Sequence, residues 1–377
     1  MQILQSLLSP LGVWRDLSGK LDPRQASLVL VFGLRKLLAE PSALVALRAR
    51  YPSARLVLTS TAGNFADIQI EDADLVCTAI DFANATVRTA VAQLSPSVEL
   101  SALCRDLSTQ LAGEGLRHVL IFSDGGLVNG TVLSDSFNSC LPSGVTLSGG
   151  LAGDGTDFAQ TLVGLDAAPA SGCIVAVGLY GSSLQIGFGS AGGWSSFGPA
   201  RLVTASQDNV LHQLDGQPAL AIYKTYLGAE AAALPAAALR FPLCLQLPGE
   251  GNSIVRTILS IDDAAGTMTF AGNIPVGATV RLMRASQEEL IAGAEDAARS
   301  ASTQPTSLVF CVSCVGRRIV LGHRTEEELE GVRAAFGPGP VLTGFYSYGE
   351  LATSGHSGSC QLHNQTMTVT SIAELVT

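Results

Sequence analysis

Apolar runs rich in Val, Ile and Leu alternate with stretches of helical periodicity along the N-terminal part of the chain. The runs predict strands at 28–32, 55–59 and 75–82, and the helical stretches predict helices at 42–49 and 98–111. A strand at 118–123, a Gly-Gly turn and a helix at 129–140 then repeat the order. Alternation of this kind is typical of an α/β fold.

The pattern changes at a Gly- and aromatic-rich passage, 189–199. The remaining predicted elements are strands 145–148, 159–163, 173–180 and 184–188, helix 218–227, strands 254–261 and 266–270, helix 286–300, strand 307–314, helix 325–336, and strands 341–346 and 362–372. We place a domain boundary at the polar turn 206–209. The chain then divides into an N-terminal segment, 1–27, and two α/β domains, 28–204 and 205–377.

Three segments resemble one another: LVLTSTAGNF from Leu56, VTLSGGLAGDG from Val145 and VLTGFYSYGEL from Val341. In each, an apolar strand runs into small or aromatic residues, turns on a Gly and is followed by further strands. Thr325 and Glu328 predict a capping box that begins the third unit's helix. The repeat predicts pseudo-repeated strand-helix-strand units in mixed sheets flanked by helices. Its Gly turns would occupy equivalent strand ends, where ligands commonly bind.

Composition agrees with a large folded core and limits the partners. Of 377 residues, 47% are apolar and 14% charged, so we expect buried strands and no long disordered region. A net charge of −10 without a basic run argues against nucleic acid and against anionic membrane surfaces. There is no run of about 18 apolar residues to span a bilayer, and the start lacks a basic n-region. We expect a cytoplasmic protein whose eight cysteines are reduced core residues.

The first candidate site joins GFYSYGEL from Gly344 to HNQTMT from His363. The candidate ligand-binding residues are Tyr346, Tyr348, Glu350, Asn364, Gln365 and Thr366. They supply stacking surfaces, donors and acceptors of the kind that orient a ligand in an apolar pocket. If 362–370 is one strand, His363 and Gln365 share the inward face with Met367, and Asn364 and Thr366 face a pocket or second layer. The alternative is that these groups only satisfy backbone groups at strand ends.

The second candidate is FSDGGLVNG from Phe122, followed by SGGLAGDG from Ser148. Asp124 can accept backbone N–H groups at the turn or act as an N-cap, and the glycines allow close approach of a ligand. Asn129 and Asp154 would contribute to the same pocket from the N-terminal domain. The alternative is that these Gly turns serve chain geometry alone.

Several long motifs occur in a fixed order along the chain. They include GGLAGDG from Gly149, LDGQPALAIYKTYLG from Leu214, SCVGRR from Ser313, LGHRTEEELE from Leu321, GFYSYGEL and HNQTMT. This set resembles the FIST family over nearly all of the chain beyond Ser27. The resemblance implies a sensory module with N-terminal and C-terminal FIST domains that binds small ligands such as amino acids beside bacterial signalling proteins. Some relatives are haem-binding nitric oxide sensors that control a histidine kinase. The family often has Glu after the first Gly turn, where this chain has Asn64, so ligand choice can differ.

Histidine patterns give only weak cofactor signals. His356, Cys360 and His363 lie close in sequence but flank a Gly/Ser turn, and we predict no metal site there. His323 and His363 stand inside the family-like motifs, but no C-x-x-C-H attachment motif is present. We therefore predict no cofactor and leave haem open as the alternative.

The usual enzymatic motifs are absent from the sequence. There is no G-x-S-x-G, no G-x-x-x-x-G-K-[ST] and no H-E-x-x-H. A G-x-G-x-x-G at 187–192 is followed by Gly and Trp in place of a helix, which argues against a dinucleotide site. Cys311 and Cys314 form one C-x-x-C that we interpret as structural, although Arg317 and Arg318 would lower the pKa of the Cys314 thiol. We predict that the chain is not an enzyme.

The leading hypothesis is a cytoplasmic small-molecule sensor whose ligand is an amino acid or a related metabolite. Ligand binding would shift the relative populations of the domains, and the shift would pass to a partner such as a histidine kinase. A haem-based nitric oxide or redox sensor is the alternative. An enzyme of unassigned class ranks last.

Overall fold

The computed structural model describes residues 1–249, 253–353 and 358–375. In chain order the strands are β1 (Gln2–Leu8), β2 (Trp14–Gly19), β3 (Leu28–Gly33), β4 (Arg55–Ser60), β5 (Asn64–Ala66), β6 (Gln69–Ile70), β7 (Leu75–Asp81), β8 (Thr86–Gln93), β9 (Leu116–Ser123), β10 (Thr146–Leu151), β11 (Val163–Leu165), β12 (Cys173–Tyr180), β13 (Leu184–Ala191), β14 (Ser195–Gln207), β15 (Val210–Leu214), β16 (Gln217–Pro218), β17 (Leu243–Gln246), β18 (Ser253–Arg256), β19 (Ile258–Asp262), β20 (Thr267–Phe270), β21 (Thr279–Arg284), β22 (Leu308–Cys314), β23 (Val341–Ser347), β24 (Gly349–Thr353), β25 (Cys360–His363) and β26 (Met367–Glu374).

The helices lie between these strands. They are α1 (Arg35–Leu38), α2 (Pro41–Arg50), α3 (Leu100–Leu111), α4 (Gly130–Cys140), α5 (Ala219–Leu227), α6 (Gln287–Ala301), α7 (Val315–Leu321) and α8 (Thr325–Phe336). Short 3-10 turns occur at Pro23–Gln25, Gly228–Ala233, Ala236–Arg240 and Gly322–Arg324. A capping box begins α6, because Ser286 Oγ accepts from Glu289 N at 3.2 Å and the Glu289 carboxylate accepts from Ser286 N at 2.8 Å.

Three six-stranded sheets share one central arrangement. Sheets I, II and III have the strand orders β11-β4-β3-β7-β1-β2, β25-β24-β10-β9-β12-β8 and β13-β26-β22-β23-β5-β6. At the centre of each, two strands joined through a helical connection run parallel: β3 with β4, β9 with β10, and β22 with β23. A third strand, β7, β12 or β26, runs antiparallel to the first of the pair. The mixed α/β class and the pseudo-repeated units are therefore confirmed.

After its Gly turn, each unit contributes its next strand to another sheet. β5 follows β4 but pairs with β23 in sheet III, β11 follows β10 but pairs with β4 in sheet I, and β24 follows β23 but pairs with β10 in sheet II. The units thus exchange strands in a closed ring. We call the resulting unit, built from β1–β13 and β22–β26, the three-sheet body.

The central strands of the three-sheet body are buried on both faces. All six residues of β3, LVLVFG, are buried, as expected for a strand covered on both sides. The inner faces of the sheets meet at a phenylalanine cluster, in which the ring centroids of Phe32 and Phe345 lie 4.9 Å apart and those of Phe122 and Phe310 lie 5.9 Å apart. The outer faces of sheets I, II and III pack on α1 and α2, on α3 and α4, and on α6 and α8, respectively.

An eight-stranded sheet forms a second body, residues 195–284. Its strand order is β18-β17-β21-β14-β15-β20-β19, with β16 paired to β15. With α5 it encloses a separate hydrophobic core that includes Val203, Tyr223 and Phe270. The polar turn predicted at 206–209 is the turn between β14 and β15. Strands from both sides of that turn lie side by side in sheets II and III, and the limits 1–27, 28–204 and 205–377 stay predictions.

The predicted strand at 362–372 is wrong. β25 ends at His363 in sheet II, the chain turns, and β26 begins at Met367 in sheet III. The turn contains Gln365 with φ of 63°, a left-handed conformation that interrupts extended backbone. His363, Gln365 and Met367 therefore do not share one strand face.

Two smaller predictions also need correction. The strand expected at 159–163 begins only at Val163, because the N–H groups of Ala159 and Gln160 bind the Asp154 carboxylate at 3.0 and 2.8 Å. The capping box at Thr325 does not form. Thr325 lies within α8, and the Glu328 carboxylate binds a buried guanidinium in place of the helix start. None of the helices in the described ranges is long and apolar enough to cross a membrane.

Candidate functional site

The three Gly turns meet at one end of the three-sheet body. Gly153 N donates to Ser60 O at 2.9 Å, Ala62 N donates to Tyr346 O at 2.8 Å, and Tyr348 N donates to Leu151 O at 3.2 Å. The first two turns touch so closely that a Cβ on Gly153 would lie 2.7 Å from Ala62 N, which makes Gly necessary there. The predicted equivalence of the Gly-turn positions is confirmed by this contact.

A polar residue follows the Gly in each turn, and all three are buried: Asn64, Asp154 and Glu350. Asn64 and Glu350 have the same local partner, because each accepts from a hydroxyl three residues earlier, Thr61 Oγ1 at 3.1 Å and Ser347 Oγ at 2.6 Å. There is a structural reason for Asn64 at the position where the family often has Glu. Its Nδ2 donates to Glu71 O at 2.7 Å and to Asp74 O at 3.2 Å, which a carboxylate cannot do.

We expect Asn64→Asp to destabilise the fold by about 1–3 kcal/mol, because two partly buried carbonyl oxygens would then face a buried carboxylate in place of a donor. Urea denaturation at neutral pH measures the change. The exposed amide Gln213 is the control, and Gln213→Glu should change stability by less than about 0.5 kcal/mol. Equal losses for the two variants would contradict the role given to the Asn64 amide.

Glu350 is enclosed, and its carboxylate is held by the protein itself. Besides Ser347 Oγ, it accepts from Thr366 N at 3.2 Å and Thr366 Oγ1 at 3.0 Å. Burial raises the pKa of Glu350 to about 8 against the opposing effect of these donors. Glu350 and Thr366 therefore fasten the third Gly turn to the turn between β25 and β26.

Tyr346 belongs to a buried ion-pair cluster that the sequence did not reveal. Its hydroxyl donates to Glu328 Oε1 at 2.6 Å, and Ser313 Oγ donates to the same oxygen at 3.1 Å. Arg317 Nε and Nη2 reach Glu328 Oε2 at 3.1 and 2.9 Å. The pKa of Tyr346 lies well above its usual value, mainly because the ring is buried and then because Glu328 is charged.

The turn between β25 and β26 links the two bodies. Asn364 Oδ1 accepts from Thr257 N at 3.4 Å, and Gln365 Nε2 donates to Leu239 O at 3.0 Å. Trp194 Nε1 also donates to Gln365 O at 2.8 Å. Asn364 and Gln365 thus bind the second body directly, and Gln365 Oε1 is a buried acceptor without a partner in the described residues.

Three adjoining cavities form one cleft, which we call the interbody cleft. The first two cavities lie between the two bodies, and the third continues from them along the three-sheet body alone. The three cavities measure about 310, 440 and 630 Å³. The first and second share Phe158 and Leu259, and the second and third share Thr156 and Ile319. Cavities of this size suit small-molecule ligands.

Tyr348 presents a fixed aromatic wall to the first cavity. Its ring stacks on Phe158 with centroids 4.5 Å apart. The Tyr348 hydroxyl donates to Asp154 and accepts from Phe158 N at 3.3 Å. Burial raises the pKa of Tyr348, and so does the Asp154 carboxylate. Asp154 therefore holds the Tyr348 ring in place from behind.

Asp124 and Asn129 position the opposite part of that wall. Asp124 accepts from Gly126 N at 2.8 Å and Leu127 N at 2.7 Å, so it closes the Gly-Gly turn. Asn129 caps α4 by accepting from Thr131 N at 3.0 Å, and its Nδ2 donates to Asn273 Oδ1 at 2.8 Å in the second body. Tyr348 and Asn129 line the cleft, whereas Asp124 and Asp154 hold its turns.

The third cavity carries charged groups that sequence analysis did not assign to a pocket. Arg318, Asp72, Glu326 and His323 line it. The Arg318 guanidinium binds Ala62 O at 2.7 Å, pairs with Asp72 and lies 5.4 Å from the centre of the Tyr346 ring. The SCVGRR motif could have indicated Arg318, because this arginine directly follows the buried Arg317.

The structure places several of the histidine and cysteine side chains that were weighed as metal ligands or reactive thiols. Across residues 1–249, 253–353 and 358–375, no group of three or more His, Cys, Asp or Glu side chains is placed to hold a metal ion. His356 lies outside the described residues, and Cys360 is buried on β25. Burial raises the pKa of the Cys314 thiol, with a smaller contribution from Glu350, so neighbouring cations do not activate it.

The fold and the cleft define a mixed α/β protein of two bodies with a ligand-sized cleft between them. Comparison with known families matches residues 27–217 to the FIST N domain and 219–353 to the FIST C domain. The chain belongs to the FIST family, whose domains are associated with signal transduction and small-ligand sensing. A search of curated proteins finds no match.

Proposed function

We propose that this protein is a small-molecule sensor whose ligand binds in the interbody cleft. The observation that carries the proposal is the stacked pair of Tyr348 and Phe158, which is fixed from behind by Asp154 and faces residues of the second body across the cleft. A rigid aromatic wall with a few polar groups beside it is the usual composition of a small-ligand site.

The ligand that we propose is an amino acid or a related metabolite. The third cavity offers the Arg318 guanidinium to a carboxylate and the carboxylates of Asp72 and Glu326 to an ammonium group. Asn129 supplies a polar group in the first cavity, and Phe158 and Tyr348 supply apolar surface. This mixture suits a small zwitterion with an apolar part.

Signalling would follow from the position of the cleft. The walls of its first two cavities come from two bodies with separate hydrophobic cores, so a ligand that contacts both walls favours one relative arrangement of the bodies. A cytoplasmic partner such as a histidine kinase would respond to that change. We propose binding without turnover, no resident cofactor, and no role for nucleic acid or membranes.

We expect at least one proteinogenic amino acid to raise the melting temperature of the wild-type protein in a thermal-shift screen. Phe158→Ala should weaken that ligand's binding by about tenfold in calorimetry, because a stacked aromatic contact of roughly 1 kcal/mol is lost together with buried area. Phe197 is a matched control, since it is also half-buried but packs on the second body's own core. Phe197→Ala should leave the affinity unchanged.

The outcomes separate the hypotheses. Equal affinity of wild type and Phe158→Ala would show that the ligand binds elsewhere. The absence of any stabilising amino acid would overturn the proposed ligand class. A Soret band after expression with haem supply would favour the haem-based sensor, and chemical conversion of a bound ligand would favour an enzyme.

A further inference from the structure

A separate cavity of about 370 Å³ lies between the three-sheet body and the second body, beside α4 and the β17–β18 hairpin. Its apolar surface includes Leu245, Ile254 and Leu362, and its polar surface includes Asp135 and Arg256. The hydrogen bond between Asn129 and Asn273 stands between this cavity and the interbody cleft, because Asn129 lines the cleft and Asn273 lines the cavity. We call it the Arg256 cavity.

Arg256 is almost fully buried, with 4% of its surface exposed, yet its hydrogen-bond partners among the described residues are backbone carbonyl groups. Its Nε donates to Asn273 O at 3.3 Å, and its Nη1 donates to Val255 O at 3.3 Å and Leu362 O at 3.2 Å. In the described parts of the chain, no carboxylate lies within the 4.0 Å that defines an ion pair with it. Its Nη2 forms no hydrogen bond there and keeps some accessible surface.

This arrangement is costly for the folded protein. A buried cation without a carboxylate in contact loses hydration that carbonyl dipoles replace only in part. The contrast with Arg317 is direct, since that guanidinium is equally buried but pairs with Glu328. Burial lowers the pKa of Arg256 to about 10, so the side chain stays charged near neutral pH.

None of the neighbouring titratable groups in the described residues forms an ion pair with Arg256. Asp135 is exposed at the cavity, and its charge acts on Arg256 from beyond ion-pair distance, where it raises the pKa of Arg256 against the larger effect of burial. His363 next to Leu362 is held neutral, because burial and then the Arg256 charge lower its pKa to about 4. The N–H groups of Arg256 Nη2 therefore donate to none of the described residues and can bind an acceptor of a ligand.

We infer that Arg256 binds the carboxylate of a small organic monocarboxylate whose aliphatic part lies against Leu245, Ile254 and Leu362. A single guanidinium beside the Asp135 carboxylate favours a ligand with one anionic group over a dianion. The volume of about 370 Å³ admits a short branched chain. This site is separate from the interbody cleft and does not rest on the function proposed for the cleft.

Three probes of one shape test the inference: 4-methylpentanoate, 4-methylpentanamide and 4-methylpentylamine. Calorimetry on the full chain should detect saturable binding of the carboxylate, at least about tenfold weaker binding of the neutral amide, and none of the amine. Arg256→Gln should weaken the carboxylate by about tenfold or more. Arg281→Gln, at an exposed site of β21 in the second body, should leave it unchanged.

Asp135→Asn provides an independent measurement, because it removes a repulsive charge from an exposed position and leaves the core intact. It should tighten carboxylate binding by about twofold to fivefold at low salt. The inference is overturned if 4-methylpentanoate does not bind, if it binds no better than the amide, or if Arg256→Gln retains full affinity. Binding that Phe158→Ala abolishes and Arg256→Gln preserves places the carboxylate in the interbody cleft; the proposed function then stands and this inference fails.

Discussion

Replacement of Arg317 by Met lowers the free energy of unfolding by about 3–5 kcal/mol, because it leaves the Glu328 carboxylate buried without its cation. Both side chains are fully buried, and Nη2 lies 2.9 Å from Oε2. Arg317 also donates to Leu290 O at 2.8 Å and to Gly192 O. The substitution therefore removes the cation and several donors from one enclosed cluster.

Urea denaturation near neutral pH measures the loss, and Arg324→Met is the matched control. Arg324 also pairs with two glutamates, but the Glu288 carboxylate is exposed and the Glu327 carboxylate is partly exposed. Its substitution should cost much less than that of Arg317, because exposed ion pairs contribute little to stability. Similar losses for the two variants would contradict the role given to burial. In Arg317→Met, adding Glu328→Leu should restore part of the stability, since the uncompensated charge is then gone.

The central strands of the three-sheet body could be predicted because each is a long run of Val, Ile and Leu. The strands predicted at 28–32, 118–123 and 307–314 correspond to β3, β9 and β22. The three similar segments also led to equivalent Gly turns, because turn chemistry is local. Both features are determined by residues that are close together along the chain, so they can be recognised from the sequence alone.

Strand partners could not be predicted in the same way. β5 pairs with β23 through Gly344 and Phe65, and the intervening chain gives no local sign of this partnership. Pairing over such distances depends on how whole sheets pack. The turn at Gln365 was missed for a related reason, because its polar residues satisfy strand alternation as well as they satisfy a turn.

The candidate site was predicted only in part because polar residues near Gly turns serve two purposes. Tyr348 and Asn129 line the cleft, but Tyr346 and Glu350 bind internal partners. Both uses require a polar side chain at a buried strand end, so residue type alone cannot distinguish them. Arg256 could not be identified from the sequence, because a charged residue at the end of a strand, here β18, is usually exposed.

Glu350→Gln should remove the loss of stability that the wild-type protein undergoes as the pH rises into the alkaline range. Burial raises the folded pKa of Glu350 to about 8 from an ordinary value of 4.5. Between these two pH values the folded state binds one more proton than the unfolded state, so the stability of the protein falls as the pH rises. The contribution of Glu350 to stability is therefore complete below pH 4.5 and is lost once the pH has risen through the folded pKa. The wild type should lose about 3 kcal/mol from this group between about pH 5.5 and about pH 9.

The amide fits the same place without titrating. A Gln oxygen can accept from Thr366 N and Oγ1, and its NH₂ group can donate to the Ser347 hydroxyl, which then acts as acceptor. Denaturation of both proteins across this pH range should give similar stability in weak acid and an advantage of about 2–3 kcal/mol for Glu350→Gln in alkali. The buried His118, whose pKa is lowered to about 3 by burial, is present in both proteins, so the loss of stability it causes in acid cancels in the comparison. Parallel pH profiles would mean that Glu350 ionises normally in the folded protein.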